Sequence, residues 1–378
     1  PDTPAFLFND TATTEKLLAG LRSKFGDTAR IGTAADLQET RRFGSSGSLA
    51  LDFALGNSGW PTNRLVEICG AEGVGKSTLA LLAVRTFLQA QPKRSALYLD
   101  LEHKLDIDWV TTLVGGDLMD RMIFVQPPHI EQATDMYTSV VSTGDVAIAV
   151  LDSIGGSPTI RTMVKSAEIA SYGGNAIGVG NFARLAAAAS NINDCLTIGI
   201  NQVRADMAGL NRTMRPGGHA WLHASTQSVV LKRGQGKVFE KINGEDVQVG
   251  QEVRAKVIKS GYSPPGRTAT YWFFNVPTDK YPLGIDTLEE IVRLSTLTGV
   301  ITRTGAYYNH PALPGGKVMG KDKLQELIRD DRALYDTLRS ETMAHLSDHA
   351  EKVAPISDPD TDIPEDAPAD ELIRAMVA

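Results

Sequence analysis

Cysteine is nearly missing from this chain: Cys69 and Cys195 are the two present in 378 residues. Each sits in an apolar, strand-like run, so buried thiols are expected rather than a disulfide or a metal site. Long hydrophobic runs are missing too. None approaches the ~18 residues that span a bilayer, so no membrane partner is expected. Pro1 to Asp10 has no basic n-region and no apolar h-region, which predicts no secretory signal and a cytoplasmic location. Internal repeats are absent. Surplus positive charge is absent as well, with a net charge of −7. That balance argues against nucleic-acid binding until its distribution is read. From Pro355 to Ala378 seven acids stand against the single base Arg374. The remainder is nearly neutral and free to carry basic patches.

What is present begins with Gly70-Ala71-Glu72-Gly73-Val74-Gly75-Lys76-Ser77. A strand-like segment, Arg64 to Cys69, precedes it, and a helix-like one, Ser77 to Gln91, follows. In that setting the glycines let successive N–H groups turn inward on phosphate oxygens. The helix N-terminus adds partial positive charge. Lys76 reaches the β- and γ-phosphates, and Ser77 offers a hydroxyl to Mg²⁺.

The pattern around this loop predicts an α/β core over residues 44–280. Apolar runs Ala96–Leu99, Met122–Val125, Val146–Leu151 and Leu196–Ile200 alternate with helix-like stretches. Buried runs separated by helices imply a mainly parallel sheet covered on both faces. Three later runs, Ser228–Leu231, Glu252–Ile258 and Thr270–Val276, are expected to extend it in antiparallel fashion. Residues 1–43 hold an amphipathic helix, Thr13 to Phe25. Residues 281–350 read as a small C-terminal α/β domain. Residues 351–378 read as a disordered acidic tail.

Three further signals stand at predicted strand ends, where open α/β sheets bind ligands. Asp152 closes Val146–Leu151 and suits the Mg²⁺ side of the site. Ser153 follows it, where many such ATPases carry a glutamate. The water-orienting acid is therefore expected from Asp100-Leu101-Glu102-His103, and Glu102 is the choice. Asn201-Gln202 closes the next run, and Gln202 is placed to sense a γ-phosphate. Two long loops follow these ends. One, 159–180, carries Arg161, Lys165 and Tyr172. The other, 203–216, carries Arg204, Arg212 and Arg215 and runs into Gly217 and Gly218. Loops this long in a core are usually functional or disordered.

Taken in order from about residue 13 to 346, these motifs resemble the RecA-type recombinases. The likeness includes Ser46 to Asp52, Lys256 to Lys259, and Gly305-Ala306-Tyr307-Tyr308. It implies an ATP-dependent recombinase that forms a helical filament on single-stranded DNA. Such a filament pairs that strand with homologous double-stranded DNA, in recombination and repair. It implies DNA-dependent ATP hydrolysis with Mg²⁺, and partners that include loader and single-strand-binding proteins. Gly70, Glu72, Gly73, Gly75, Lys76, Ser77 and Thr78 match the nucleotide-binding loop, with Ser77 and Asp152 on the metal. Lys76, Glu102 and Gln202 match the catalytic set. Asp106 and Trp109 fall where the family contacts adenine. Lys165, Tyr172, Arg184, Arg204, Met207, Arg212, Arg215, Gly217 and Gly218 fall where it contacts DNA. Lys259 matches a cation that reaches a neighbour's γ-phosphate in trans, while Gly261 stands where a second cation is expected. A hexameric helicase or translocase on the same core, and an ATP-regulated coat for single-stranded DNA, are the alternatives.

Overall fold

The computed structural model describes residues 11–26, 29–39, 42–56, 59–164, 174–202 and 220–350. The chain divides into two units, residues 1–42 and residues 43–378. The first unit holds α1 (Thr11–Phe25) and α2 (Ala34–Glu39). Asp36 closes the turn before α2 by accepting the Thr33 amide at 2.8 Å. Ala29–Gly32 is irregular. Its backbone is tied to α1: the Ala29 amide donates to the Phe25 carbonyl at 2.9 Å, and Arg22 Nε donates to the Ile31 carbonyl at 3.0 Å.

The second unit opens with β1 (Phe43–Gly44), α3 (Leu49–Ala54) and β2 (Trp60–Pro61). Then come β3 (Leu65–Gly70), α4 (Lys76–Ala90), β4 (Ser95–Asp100), α5 (Ile107–Val114), β5 (Met122–Val125), α6 (Ile130–Val141) and β6 (Val146–Asp152). After these follow α7 (Ile160–Val164), α8 (Gly174–Ile192), β7 (Leu196–Gln202), α9 (Ala220–Ala224), β8 (Gln227–Ile242), β9 (Glu245–Ser260), β10 (Thr268–Phe274) and β11 (Gly284–Ile285). The chain finishes with α10 (Thr287–Leu297), β12 (Thr302–Thr304), β13 (Tyr307–Asn309), β14 (Lys317–Met319), α11 (Lys321–Asp330) and α12 (Arg332–Ala350).

Nine strands form one sheet in the order β11-β10-β9-β8-β3-β7-β6-β4-β5. From β8 to β5 every neighbouring pair is parallel. The antiparallel extension therefore begins at β9, one strand later than the sequence pattern suggests. β8 runs the same way as β3, with Gln227 just after α9 opposite Val66 and Leu231 opposite Gly70. β8 and β9 are also far longer than expected, 16 residues each. The segment 159–180 is helical at both ends, as α7 and α8.

Apolar side chains cover both faces. One buried cluster joins α3, α4, α5 and the C-terminal helices through Leu51, Leu81, Val84, Val110, Leu294 and Leu338. The other lies under α6, α8 and α9, where Phe182 stacks on Trp221 at 5.7 Å. Gly199 lets that indole lie flat on β7, since a Cβ there would meet it at 2.1 Å. Two polar anchors tie the C-terminal helices to α3. Glu290 accepts from Ser48 Oγ at 2.6 Å and the Leu49 amide at 2.7 Å, capping α3. Arg339 of α12 donates to Asp52 at 2.5 Å.

Candidate active site

Gly70 ends β3 between Gln202 of β7 and Leu231 of β8. Asp152 ends β6 opposite Asp100 of β4 and Ile200 of β7. The register thus gathers the four strand ends along one edge of the sheet. Beyond Gly70 the backbone turns through Gly73 and Gly75, whose φ values are +69° and +93°. Side chains rarely adopt such φ, which explains two of the glycines. Gly75 caps α4 with no side-chain bond to its first amides. An anion is the natural partner for such a helix start.

Lys76 bends back so that Nζ donates to the Ala71 carbonyl at 2.7 Å. Burial lowers its pKa from the usual lysine value, and Asp152 and Glu102 are among the groups that offset this. Ser77 Oγ donates to Asp152 Oδ2 at 2.8 Å, and Tyr98 donates to the same oxygen at 2.7 Å. Burial raises the Asp152 carboxyl above the usual range, against the stabilising hydroxyls of Tyr98 and Ser77. Burial, followed by the Asp152 charge, pushes Tyr98 well above its usual value, so it stays a donor. Thr78 is buried in the first turn of α4, and Glu72 is exposed.

Glu102 sits in a turn built by Asp100. The Asp100 carboxylate accepts the amides of Glu102 at 3.2 Å and Leu105 at 3.3 Å, and Gln126 donates to it at 3.0 Å. Glu102 Oε1 accepts from Ser153 Oγ in a short bond and from Gln202 Nε2 at 3.3 Å. Lys104 Nζ lies 3.2 Å from the other oxygen. Ser153, which the sequence presents only as an absent glutamate, therefore holds the acid that stands elsewhere. Asp106 caps α5, accepting the amides of Asp108 at 2.9 Å and Trp109 at 3.2 Å. Trp109 is partly buried against the core.

Lys259, near the end of β9, donates to the carbonyls of Leu222 at 2.7 Å and His223 at 3.1 Å. Burial lowers its pKa, against the Glu67 charge. Arg184 is exposed on α8 and bonds Asn181. It lines a cavity of about 620 Å³ with Arg161, Glu131, Asp135 and Ile177. Lys165, Tyr172, Arg204, Met207, Arg212, Arg215, Gly217 and Gly218 lie outside the described residues, as does the acidic tail.

Tyr98, Ser153, Arg233 and Gln251 are the site residues that sequence reasoning missed. Tyr98 left one clue, a hydroxyl inside an otherwise apolar strand. Arg233 Nη2 donates to the Glu72 carbonyl at 2.9 Å, and Gln251 Nε2 donates to the Gly73 carbonyl at 3.2 Å.

A phosphate loop leaving a mainly parallel sheet, with its acids on the neighbouring strand ends, defines a RecA-like nucleotide-binding core. A family model described as the RecA N-terminal domain matches residues 13–275. Protein RecA of Latilactobacillus sakei subsp. sakei is 33% identical over 345 residues, 88% of this chain and 90% of that protein. Protein RecA of Streptococcus parasanguinis is 31% identical over 332 residues, 85% of this chain and 81% of that protein. Protein RecA of Streptococcus agalactiae is 29% identical over 338 residues, 87% of this chain and 84% of that protein. The chain belongs to the RecA family and is a recombinase of that type.

The family works with ATP and Mg²⁺, and the residues here fit both. The left-handed glycines and the buried Lys76 ammonium form a cradle for phosphate. Ser77 and Asp152 carry adjacent hard oxygens of the kind Mg²⁺ takes and would be the residues to hold it. Among the described residues no group of three or more His, Cys, Asp or Glu gathers to hold a metal. No described helix is long and apolar enough to cross a membrane.

Proposed function

We propose that this chain hydrolyses ATP to ADP and phosphate when bound to DNA, and that this site couples the reaction to filament assembly on single-stranded DNA. Bound ATP with Mg²⁺ supplies the phosphoanhydride whose state the protein reads. Lys76 leaves the Ala71 carbonyl for the phosphates. Ser77 and Asp152 hold the metal side. Glu102 orients the attacking water, with Ser153 fixing one of its oxygens. Gln202 exchanges Glu102 for the γ-phosphate and carries that change into residues 203–216, where Arg204, Arg212 and Arg215 meet DNA phosphates. Lys165, Tyr172, Arg184, Met207, Gly217 and Gly218 complete the DNA contacts. Asp106 and Trp109 take the adenine. Lys259 serves a neighbouring protomer's nucleotide in trans. Homologous double-stranded DNA is the second nucleic-acid partner. A cytoplasmic setting, with loader and single-strand-binding proteins, completes the reading.

The observation that carries this reading is the shared acceptor. Glu102 Oε1 takes bonds from Ser153 and from Gln202, which links Glu102 to the last residue of β7, ahead of residues 203–216. The test is Glu102→Gln. ATP and DNA binding are expected to persist while phosphate release stops, whereas Lys76→Ala loses turnover altogether. Normal turnover in the glutamine variant would remove Glu102 from the role. Electron microscopy with single-stranded DNA and a slowly hydrolysed ATP analogue is expected to show open helical filaments. A closed ring would favour the helicase reading.

A further inference from the structure

Three consecutive carbonyls of the phosphate loop accept side-chain bonds. Ala71 accepts from Lys76 at 2.7 Å, Glu72 from Arg233 at 2.9 Å, and Gly73 from Gln251 at 3.2 Å. The first donor belongs to the loop's own helix. The other two come from β8 and β9, the strands on the side of β3 away from β7. Their arrival there follows from register. Gly70 pairs with Leu231, so the β8 chain continues past the strand end where the loop departs. Arg233 stands opposite Val253, and Lys237 opposite Gln251, with the irregular stretch Gly234–Gly236 between them. Directly opposite residues share a face, as do residues two apart on one strand, so Arg233 and Gln251 lie on one face through Val253.

A trans peptide is planar, with its C=O and N–H on opposite edges. A donor that fixes the Glu72 carbonyl therefore fixes the direction of the Gly73 amide. A donor on the Gly73 carbonyl likewise fixes the Val74 amide. Left-handed backbone at Gly73 makes this stretch one of the softest in the loop, since glycine has few steric restraints. We infer that Arg233 and Gln251 are positioning residues for the nucleotide: they hold the carbonyl edges of the Glu72–Gly73 and Gly73–Val74 peptides so that the two amides are preset for phosphate. The inference rests on the proposed reading of Gly70–Ser77 as the nucleotide loop. Neither side chain touches the phosphates, and each acts through the backbone. Preset donors bind an anion more tightly than donors that must first be ordered.

The experiment is a fluorescent-ATP titration of the full chain with Mg²⁺, alongside the melting temperature without nucleotide. Arg233→Ala and Gln251→Ala are each expected to raise the dissociation constant about fivefold, the worth of one ordinary hydrogen bond. Arg233 is exposed and Gln251 half-buried, so the melting temperature is expected to hold. Gln251→Glu replaces a donor with a charged acceptor against a carbonyl and is expected to weaken binding more than alanine does. Arg233→Lys keeps a donor and is expected to restore most of the affinity. Dissociation constants within about twofold of the unsubstituted chain would overturn the inference. So would weakened binding accompanied by a matching fall in melting temperature and no recovery in Arg233→Lys. Failure of the underlying reading looks different: the unsubstituted chain itself would not bind ATP.

Discussion

Tyr98 shows how one hydroxyl changes the character of a site. It is fully buried in β4, yet it donates to Asp152 Oδ2 alongside Ser77. With Ser77 turned to a metal, as proposed, Tyr98 would be the donor that still orients the carboxylate. Tyr98→Phe keeps the ring and removes that bond. The Mg²⁺ concentration for half-maximal nucleotide binding is expected to rise severalfold, matching a lost bond of about 1 kcal/mol. An unchanged Mg²⁺ titration would leave Tyr98 as packing alone. The residue-level signals that the sequence displayed were those tied to strand ends: Gly70, Glu102, Asp152 and Gln202. The partners Tyr98 and Ser153 were not legible, because their bonds span 54 and 51 residues of chain and depend on strand order. Lys259 matched a cation for a neighbour, but its hold on two carbonyls near the end of α9 had no local sequence signal.

At the scale of elements, periodicity located the parallel strands because both of their faces are buried and their sequences are continuously apolar. The same test missed residues 232–251, where the β8–β9 ribbon runs on with mostly exposed or half-buried side chains and loses its apolar alternation. The capping of α3 by α10 was equally hidden, since Ser48 and Glu290 lie 242 residues apart. That cap predicts a pH dependence. Burial raises the Glu290 carboxyl from 4.5 to about 7, against bonds from Ser48 and Leu49 that lower it. A carboxyl held above its unfolded value costs nothing while both states are protonated. Its cost grows as pH rises from 4.5 and is complete above about 7. The shift is equivalent to roughly 3 kcal/mol as an upper bound. Urea denaturation of the unsubstituted chain is expected to lose stability over that window relative to Glu290→Gln. Parallel pH profiles for the two proteins would discount the titration of Glu290.

For the whole molecule, charge is the property read most directly from sequence. The net −7 is concentrated after Pro355, leaving the body nearly neutral. If the tail competes with DNA for basic surface, salt will screen that competition. Deleting residues 355–378 is expected to tighten duplex binding, most strongly at low salt. Equal affinities at low salt would take the tail out of the mechanism. The alternation of strand and helix made the sheet's composition legible. The strand at which its direction reverses was not legible, because it depends on which way β8 runs beside β3.

The alignment of strand ends also sets where this chain tolerates a change of length. Gly70, Gln202, Asp152 and Asp100 share one edge because β3, β7, β6 and β4 are paired in fixed register. A residue added inside any of these strands turns every later side chain to the opposite face and withdraws its functional end from the edge. A residue added beyond the edge, in 159–180 or 203–216, leaves the alignment untouched. Changes of length are therefore expected to be tolerated best in the segments proposed to face DNA, while the residues gathered at the sheet edge keep their spacing.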